Sequence, residues 1–166
     1  MLKKRIALTL FIIIPVLAWM LVIFVLSSQP AQSSNKSSRN LAGIAVKAAA
    51  LLPGMADNVK DSDMRGNIDR LNDLLREAAH AAVYFILAVL VMFAAEKGGL
   101  KRKRALLPAF AICAAYSVSD EIHQLYVPGR TFQGGDLLMD SAGIVLGLAV
   151  YTQLIRIKFV RRGRRH

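Results

Sequence analysis

Long apolar runs separated by polar segments dominate the chain. Residues 6–26 form an uncharged run of 21 residues in which Thr9 is the only polar member. At about 1.5 Å of rise per helical residue, such a run crosses a hydrocarbon core of roughly 30 Å. We therefore predict a first transmembrane helix at 6–26, with Pro15 bending it near its middle.

A secretory signal peptide is the competing interpretation of this run, because Lys3, Lys4 and Arg5 precede it. The apolar part of a signal peptide is only about 7–15 residues long. The run is longer than that, so we favour a retained membrane helix.

Three further runs predict three more transmembrane helices, at 78–95, 105–125 and 137–155. The first is interrupted only by His80 and Tyr84. The second is apolar only as far as residue 118, but its extension to 125 gives a spanning length with its polar part at the surface. The predicted fold is therefore all-α, a polytopic integral membrane protein with four transmembrane helices.

The long segment 27–77 is predicted to be an external loop that contains short amphipathic helices. Residues 41–52 are nearly uncharged but too few to span, which favours an interfacial or re-entrant helix. Apolar residues over 68–78 recur at helical spacing among charges. They predict an amphipathic helix that leads straight into the second transmembrane helix.

Composition and charge agree with a membrane protein. The mean hydropathy is +0.42 and 55% of residues are apolar, which is too apolar for an ordinary small soluble domain. The net charge of +11 suggests nucleic acid as a partner, but its distribution does not. Fourteen of the 22 Lys and Arg lie in three clusters beside apolar runs, namely Lys3, Lys4 and Arg5; Lys97 with Lys101, Arg102, Lys103 and Arg104; and Arg156, Lys158, Arg161, Arg162, Arg164 and Arg165.

These clusters predict the orientation, because Lys and Arg beside a helix end resist translocation. With the clusters in the cytoplasm, the outside carries eight basic and ten acidic residues, a net −2, and the inside fourteen and one, a net +13. Both termini are then cytoplasmic. We predict no nucleic-acid partner.

With this orientation, the polar residues of three helix ends meet at the outer face. Ionisable residues at that depth are costly and normally face a bundle interior or a wet cavity. These residues are His80 and Tyr84 in the second helix, Asp120, Glu121, His123 and Gln124 in the third, and Asp136 and Asp140 in the fourth, with Arg130 in the connection between the last two.

Asp140 needs a partner most, because it lies about one turn inside the apolar zone. Arg130 is the candidate, since the turn expected at Pro128-Gly129 carries it back toward the acidic residues.

Several of these positions also have purely structural explanations. Asp136 taken alone is explained as the cap of the fourth helix, and Gly143 with Gly147 as small residues that permit close helix packing. The whole cluster is also compatible with holding the bundle together.

Other chemistry is less well supported. Glu77 and His80 have the spacing of a helical metal site, but one pair is weak, and we predict no metal and no cofactor. The serines have no nucleophile-elbow context, which disfavours a serine hydrolase. Histidine and carboxylates beside Arg130 are compatible with acid–base chemistry on a lipid headgroup.

The sequence Ser-Asp-Glu-Ile-His-Gln-Leu-Tyr-Val-Pro-Gly-Arg at 119–130, followed by Asp136, Asp140 and Gly143, resembles the signature of the VanZ-like membrane proteins. Residues 26–30 and His80 with Tyr84 fit the same pattern. The resemblance implies a small bacterial cell-envelope protein of the cytoplasmic membrane, whose namesake lowers susceptibility to the glycopeptide teicoplanin.

We therefore predict a VanZ-like protein that engages a lipid or a lipid-linked cell-wall-precursor headgroup at the outer face. Arg130 is expected to bind the anionic group, the acidic residues to orient Arg130 and His80 or to take protons, and Gln124 and Tyr84 to donate hydrogen bonds. One alternative is a membrane enzyme acting on an undecaprenyl- or phospholipid-type substrate, and another is a non-catalytic scaffold. Membrane lipids are the expected partners, and no oligomeric state follows from the sequence.

Overall fold

The protein is a bundle of helices with no strands in its described part. The computed structural model describes residues 2–50 and 61–163, with side chains described over 9–48 and 65–155. The helices are α1 (Leu2–Ser27), α2 (Ala31–Ala50), α3 (Asp61–Lys97), α4 (Arg102–Gln124) and α5 (Gly134–Gly163). All except α2 contain a segment long and apolar enough to cross a membrane. The predicted all-α membrane fold with four such helices is confirmed.

The long helix α3 joins two predicted elements. It has 37 residues, or about 55 Å at 1.5 Å per residue, which exceeds a hydrocarbon core of roughly 30 Å. The amphipathic helix expected over 68–78 thus continues into the second transmembrane helix without a break, as predicted.

The helix α2 begins earlier than the sequence indicates. We expected a helix at 41–52, whereas α2 starts at Ala31, and residues 51 and 52 lie outside the described residues. Serine has only moderate helix propensity, so the polar residues 33–38 do not suggest a helix by themselves. Contacts with α3 stabilise it, since Ala42 is fully buried and the Ser38 hydroxyl donates to Asn72 Oδ1 at 2.5 Å.

The helix α3 is the centre of the bundle, because the other four helices all pack against it. Its closest neighbour is α5. A Cβ atom added at Gly143 would lie 2.1 Å from the Ala81 carbonyl oxygen, and one at Gly147 would lie 2.6 Å from the Phe85 carbonyl oxygen. The two helices therefore approach each other at a distance that only glycine permits.

The bundle has two chemically different ends. The polar end is formed by the last turns of α1 and α4, the first turn of α5, and α3 around residues 76–84. The helix α2 and the connection 125–133 lie over it. At the opposite end Glu96 accepts hydrogen bonds from Arg102 Nε at 2.6 Å and from the Tyr151 hydroxyl at 3.0 Å. The candidate functional residues are at the polar end.

Candidate functional site

The helix α3 presents a polar stripe to the polar end. Arg76, His80 and Tyr84 are four residues apart, so their side chains lie on one face of the helix. Glu77, the residue considered for a metal pair with His80, is exposed. The described residues contain no group of three or more His, Cys, Asp and Glu placed to hold a metal.

Asp140 obtains its partners from α3 and α4. Its side chain is 1% exposed, its Oδ1 lies 3.2 Å from His80 Nδ1, and its Oδ2 accepts a hydrogen bond from the Ser117 hydroxyl at 2.6 Å. Asp140 is one turn before Gly143, so the close approach of α5 to α3 brings its carboxylate directly against His80.

Asp136 lies in the first turn of α5 and pairs with two side chains of α3. Arg76 Nη2 is 3.2 Å from its Oδ2, and His80 Nε2 is 3.6 Å from the same oxygen. The prediction that Asp136 caps the helix is wrong, because α5 already begins at Gly134. Its negative charge still complements the helix dipole.

Asp120 forms the start of a chain of hydrogen bonds that leads to Arg130. Its Oδ1 accepts from the Ser27 hydroxyl at 2.6 Å, and its Oδ2 accepts from Gln124 Nε2 at 3.2 Å. The other end of the Gln124 amide accepts from Arg130 Nη1 at 3.1 Å. Asp120 therefore orients Arg130 through Gln124.

A tight turn positions Arg130. The backbone amide of Arg130 donates to the Val127 carbonyl oxygen at 3.1 Å, and Gly129 has φ +77°, which a turn of this kind requires of its third residue. The Arg130 side chain also donates from Nε to the Gln29 carbonyl oxygen at 3.3 Å. The α4–α5 connection thus ties Arg130 to the end of α1.

The predicted ion pair of Arg130 with a carboxylate is wrong. Among the described residues it forms no ion pair, and its hydrogen-bond acceptors are the neutral oxygens of Gln124 and Gln29. The acidic residues have taken other partners, because α3 supplies Arg76 and His80 closer to them. Burial lowers the pKa of the Arg130 guanidinium, the positive charge of Arg76 acts in the same direction, and nearby carboxylates oppose both. The group remains charged at neutral pH.

Two cavities adjoin Arg130. The large cavity, of about 440 Å³, lies between α1, α2 and α3, and the small cavity, of about 190 Å³, lies between α2 and the α4–α5 connection. Four residues line both, namely Ser34, Arg76, Gln124 and Arg130. The two arginines therefore stand where the cavities meet.

The structure brings only some of the predicted site residues to these cavities. His80, Tyr84, Asp120, Gln124 and Arg130 line the large cavity. The remaining four predicted residues, Glu121, His123, Asp136 and Asp140, do not.

Among these four, Asp136 and Asp140 stand behind His80, and the other two have local contacts. Glu121 is buried, with Oε2 accepting the Gln133 backbone amide at 3.4 Å and Oε1 without a partner among the described residues. His123 faces α1, where its Nε2 is 3.0 Å from the Ser28 hydroxyl and its ring lies 4.5 Å from that of Phe24.

The sequence analysis missed Arg76, Ser27 and Ser117 as parts of this arrangement. The signal for Arg76 was its spacing of four from His80, which is the same as that from His80 to Tyr84. Ser27 lies within residues 26–30, which fit the family pattern, but neither serine indicated a hydrogen bond to a carboxylate, because that depends on which carboxylate another helix places opposite it.

The sequence matches the profile of the VanZ/LLP1 family over residues 11–156, which is most of the chain. No curated protein sequence and no solved structure matches it significantly.

Proposed function

The chain belongs to the VanZ/LLP1 family, and from this premise we propose that its polar end binds the anionic headgroup of a membrane lipid or of a lipid-linked cell-wall precursor. Arg130 contacts the anion. The protein acts in this way in the bacterial cytoplasmic membrane, with the polar end outside and both termini in the cytoplasm, and it lowers susceptibility to glycopeptides such as teicoplanin.

The observation that carries the proposal is that Arg130 forms no ion pair among the described residues, although carboxylates lie near enough to oppose the lowering of its pKa. A partly buried guanidinium has lost much of its hydration, and here neutral carbonyl oxygens are its acceptors. Such a cation gains more from an anion than a hydrated one does, because the local dielectric is low. Its planar fork of donors suits the oxygens of phosphate or carboxylate.

Arg76 supports the same conclusion from the opposite wall. Its guanidinium donates to Gln133 Oε1 at 2.6 Å and to Asp136 Oδ2 at 3.2 Å, and it lines both cavities. Gln133 and Asp136 hold this cation in position beside Arg130. Because Asp136 already pairs with Arg76, the main charge available to an anion is that of Arg130, and Arg76 adds a second guanidinium at the same junction.

The dimensions of the site suit a headgroup. A cavity of about 440 Å³ falls in the usual range of roughly 300–1,000 Å³ for small-molecule sites. Hydroxyl groups of α2 at Ser34 and Ser37 face the same space and add neutral hydrogen-bond donors.

An enzyme acting on a lipid-linked substrate is the second candidate, and one observation favours it. The imidazole of His80 lines the large cavity beside both arginines while Asp140 holds its Nδ1. A histidine oriented by a carboxylate in this way is suited to general acid–base catalysis. Lipid extracts distinguish the candidates, because only an enzyme alters the composition of a lipid pool.

The proposal is tested in a teicoplanin-sensitive Gram-positive host that expresses the wild type, Arg130→Lys or the control Arg39→Lys. Arg39 pairs with Asp69 at 2.8 Å away from the cavities. Because lysine lacks the planar fork, we expect Arg130→Lys to lose protection at unchanged membrane abundance, while Arg39→Lys retains it. Equal protection by all three proteins would contradict the role of Arg130. Loss of protection together with loss of folded protein would instead support a scaffold.

A further inference from the structure

Two parallel stripes of α3 line the large cavity. The polar stripe is Arg76, His80 and Tyr84. An apolar stripe of Leu75, Ala79 and Val83 runs beside it, one position earlier at each turn. Because residues four apart share a helix face, the polar stripe lines one side of the cavity floor on α3 and the apolar stripe lines the other side.

The walls beside the apolar stripe are also hydrocarbon. They consist of Ile23 and Leu26 from α1 and Leu41 from α2. Leu26 is 47% exposed and Leu41 is 63% exposed, so these side chains have no complete cover within the bundle.

The walls α1 and α2 are separate from each other. Extended packing joins each of them to α3, whereas over the described residues no such packing joins α1 to α2. Their connection consists only of residues 28–30. We call the resulting opening, with α3 as its floor and α1 and α2 as its sides, the α1–α2 cleft.

We infer that the anion at Arg130 is the head of a membrane amphiphile whose hydrocarbon chain lies in the α1–α2 cleft. The inference rests on the proposed function and adds the place at which the hydrocarbon chain of the ligand lies. The ligand enters the α1–α2 cleft laterally from the bilayer, so that its head reaches the arginines and its chain lies along the apolar stripe.

The arrangement distinguishes such a ligand from a soluble anion. A soluble anion would contact only the arginines, and it has no hydrocarbon part that could pack against the apolar wall beside them. A chain that moves from lipid into an apolar cleft gains little free energy, because both surroundings are hydrocarbon. The cleft therefore acts mainly by orienting the ligand so that its head meets both arginines.

Two exposed alanines of α3 provide a matched test. Ala79 lines the large cavity and Ala82 does not. Full-length protein in phosphatidylcholine nanodiscs is titrated with dodecyl phosphate and separately with inorganic phosphate. We expect Ala79→Trp to weaken dodecyl phosphate binding about tenfold or more by filling the cleft, and to leave inorganic phosphate binding within about twofold. Ala82→Trp is expected to match the wild type in both titrations.

A second measurement detects the position of the hydrocarbon chain by crosslinking. The photoreactive residue benzoylphenylalanine is placed at Leu41 or, as the control, at Leu138, which is 69% exposed on α5 and outside both cavities. We expect radiolabelled dodecyl phosphate to crosslink more strongly at Leu41 than at Leu138, and the Leu41 crosslink to fall to the Leu138 level in Arg130→Gln, since both side chains are exposed to lipid-dissolved probe. Crosslinking at Leu138 to lipid-dissolved probe is expected to be unaffected.

The outcomes separate the two claims. If Ala79→Trp and Ala82→Trp behave alike, or if the Leu41 crosslink does not fall to the Leu138 level in Arg130→Gln, the cleft does not hold the chain, while anion binding at Arg130 can still stand. If the wild type binds neither phosphate compound, the proposed function fails and this inference fails with it.

Discussion

Four buried carboxylates at the polar end accept hydrogen bonds or pair with cations of neighbouring segments, namely Asp120, Glu121, Asp136 and Asp140. Arg130 has only neutral partners. An unpaired buried charge is expensive, so removal of a partner from one of these carboxylates is expected to destabilise the bundle. Arg130 remains the one cation of this cluster whose best partner is not supplied by the described residues.

Substitution of Ser117 tests whether a hydrogen bond to a buried carboxylate stabilises the bundle. Its hydroxyl is the only hydroxyl donor to Asp140 among the described residues, at 2.6 Å. Hydrogen bonds to charged groups contribute about 1.5–3 kcal/mol in water-soluble proteins, and interhelical ones in membranes average about 0.6 kcal/mol. We expect Ser117→Ala to lower the free energy of unfolding by about 1 kcal/mol, measured by thermal unfolding in detergent.

Ser119 is the matched control on the same helix. It is exposed, and its hydroxyl donates only to the Tyr116 carbonyl oxygen. Ser119→Ala is expected to stay within about 0.5 kcal/mol of the wild type. Equal effects of the two substitutions would mean that the Asp140 hydrogen bond does not stabilise the bundle.

The side-chain partners of individual residues were the feature that the sequence predicted least well. The sequence indicated that Asp140 needs a partner, and the structure supplies His80 and Ser117 instead of Arg130. That choice depends on how far α5 is rotated and how closely it approaches α3, and the contact at Gly143 determines both. No local pattern contains this information, because it arises only when two helices pack.

Among the elements, α3 and α5 form the rigid part of the site. Their glycine contact fixes the height of Asp136 and Asp140 relative to Arg76 and His80. Since these pairs hold the polar stripe of α3 in place, the position of the cavity wall depends on helix packing two turns away.

Gly143→Ala should disrupt this packing. A Cβ there would lie 2.1 Å from a backbone oxygen, which no side-chain movement can relieve, so α5 must shift. We expect a loss of about 3 kcal/mol or more in stability and a lower thermal midpoint in detergent.

Gly66→Ala is the control, since it is also helical and meets nothing within 4 Å. It should leave stability unchanged or raise it by up to about 1 kcal/mol, because alanine has the higher helix propensity. A Gly143→Ala protein as stable as Gly66→Ala would show that the α3–α5 contact is not tight.

The helices themselves were largely predictable. Uninterrupted apolar length predicts where a chain spans a membrane, and each of the four predicted spans coincides with a described helix, although the span predicted at 105–125 runs one residue past the end of α4. Their ends differ, since α5 runs from Gly134 to Gly163 where we expected 137–155. Polar residues near helix ends are weak indicators of where a helix stops, and the serine-rich start of α2 was missed for the same reason.

Binding of an external headgroup at Arg130 requires the polar end of the bundle to face outward. If all four candidate spans cross the membrane, both ends of the chain lie on one side, and the distribution of Lys and Arg predicts that side to be the cytoplasm. A lipid-linked precursor headgroup outside the cell would then reach Arg130 directly.

Cysteine labelling tests the orientation. The native Cys113 is buried, so we expect it to contribute little background labelling. We expect a membrane-impermeant maleimide to label Ser33→Cys in intact cells and to label Lys101→Cys only after permeabilisation, because these exposed residues lie at opposite ends of the bundle. Labelling in the reverse pattern would place the polar end in the cytoplasm.

Equilibrium binding of dodecyl phosphate to the full-length protein in phosphatidylcholine nanodiscs tests whether Arg130 binds an anion. Arg130→Gln is compared with Arg39→Gln, which removes an equal charge outside the cavities. We expect Arg130→Gln to weaken binding about tenfold or more and Arg39→Gln to bind like the wild type. Equal affinity in all three proteins would contradict anion binding at Arg130.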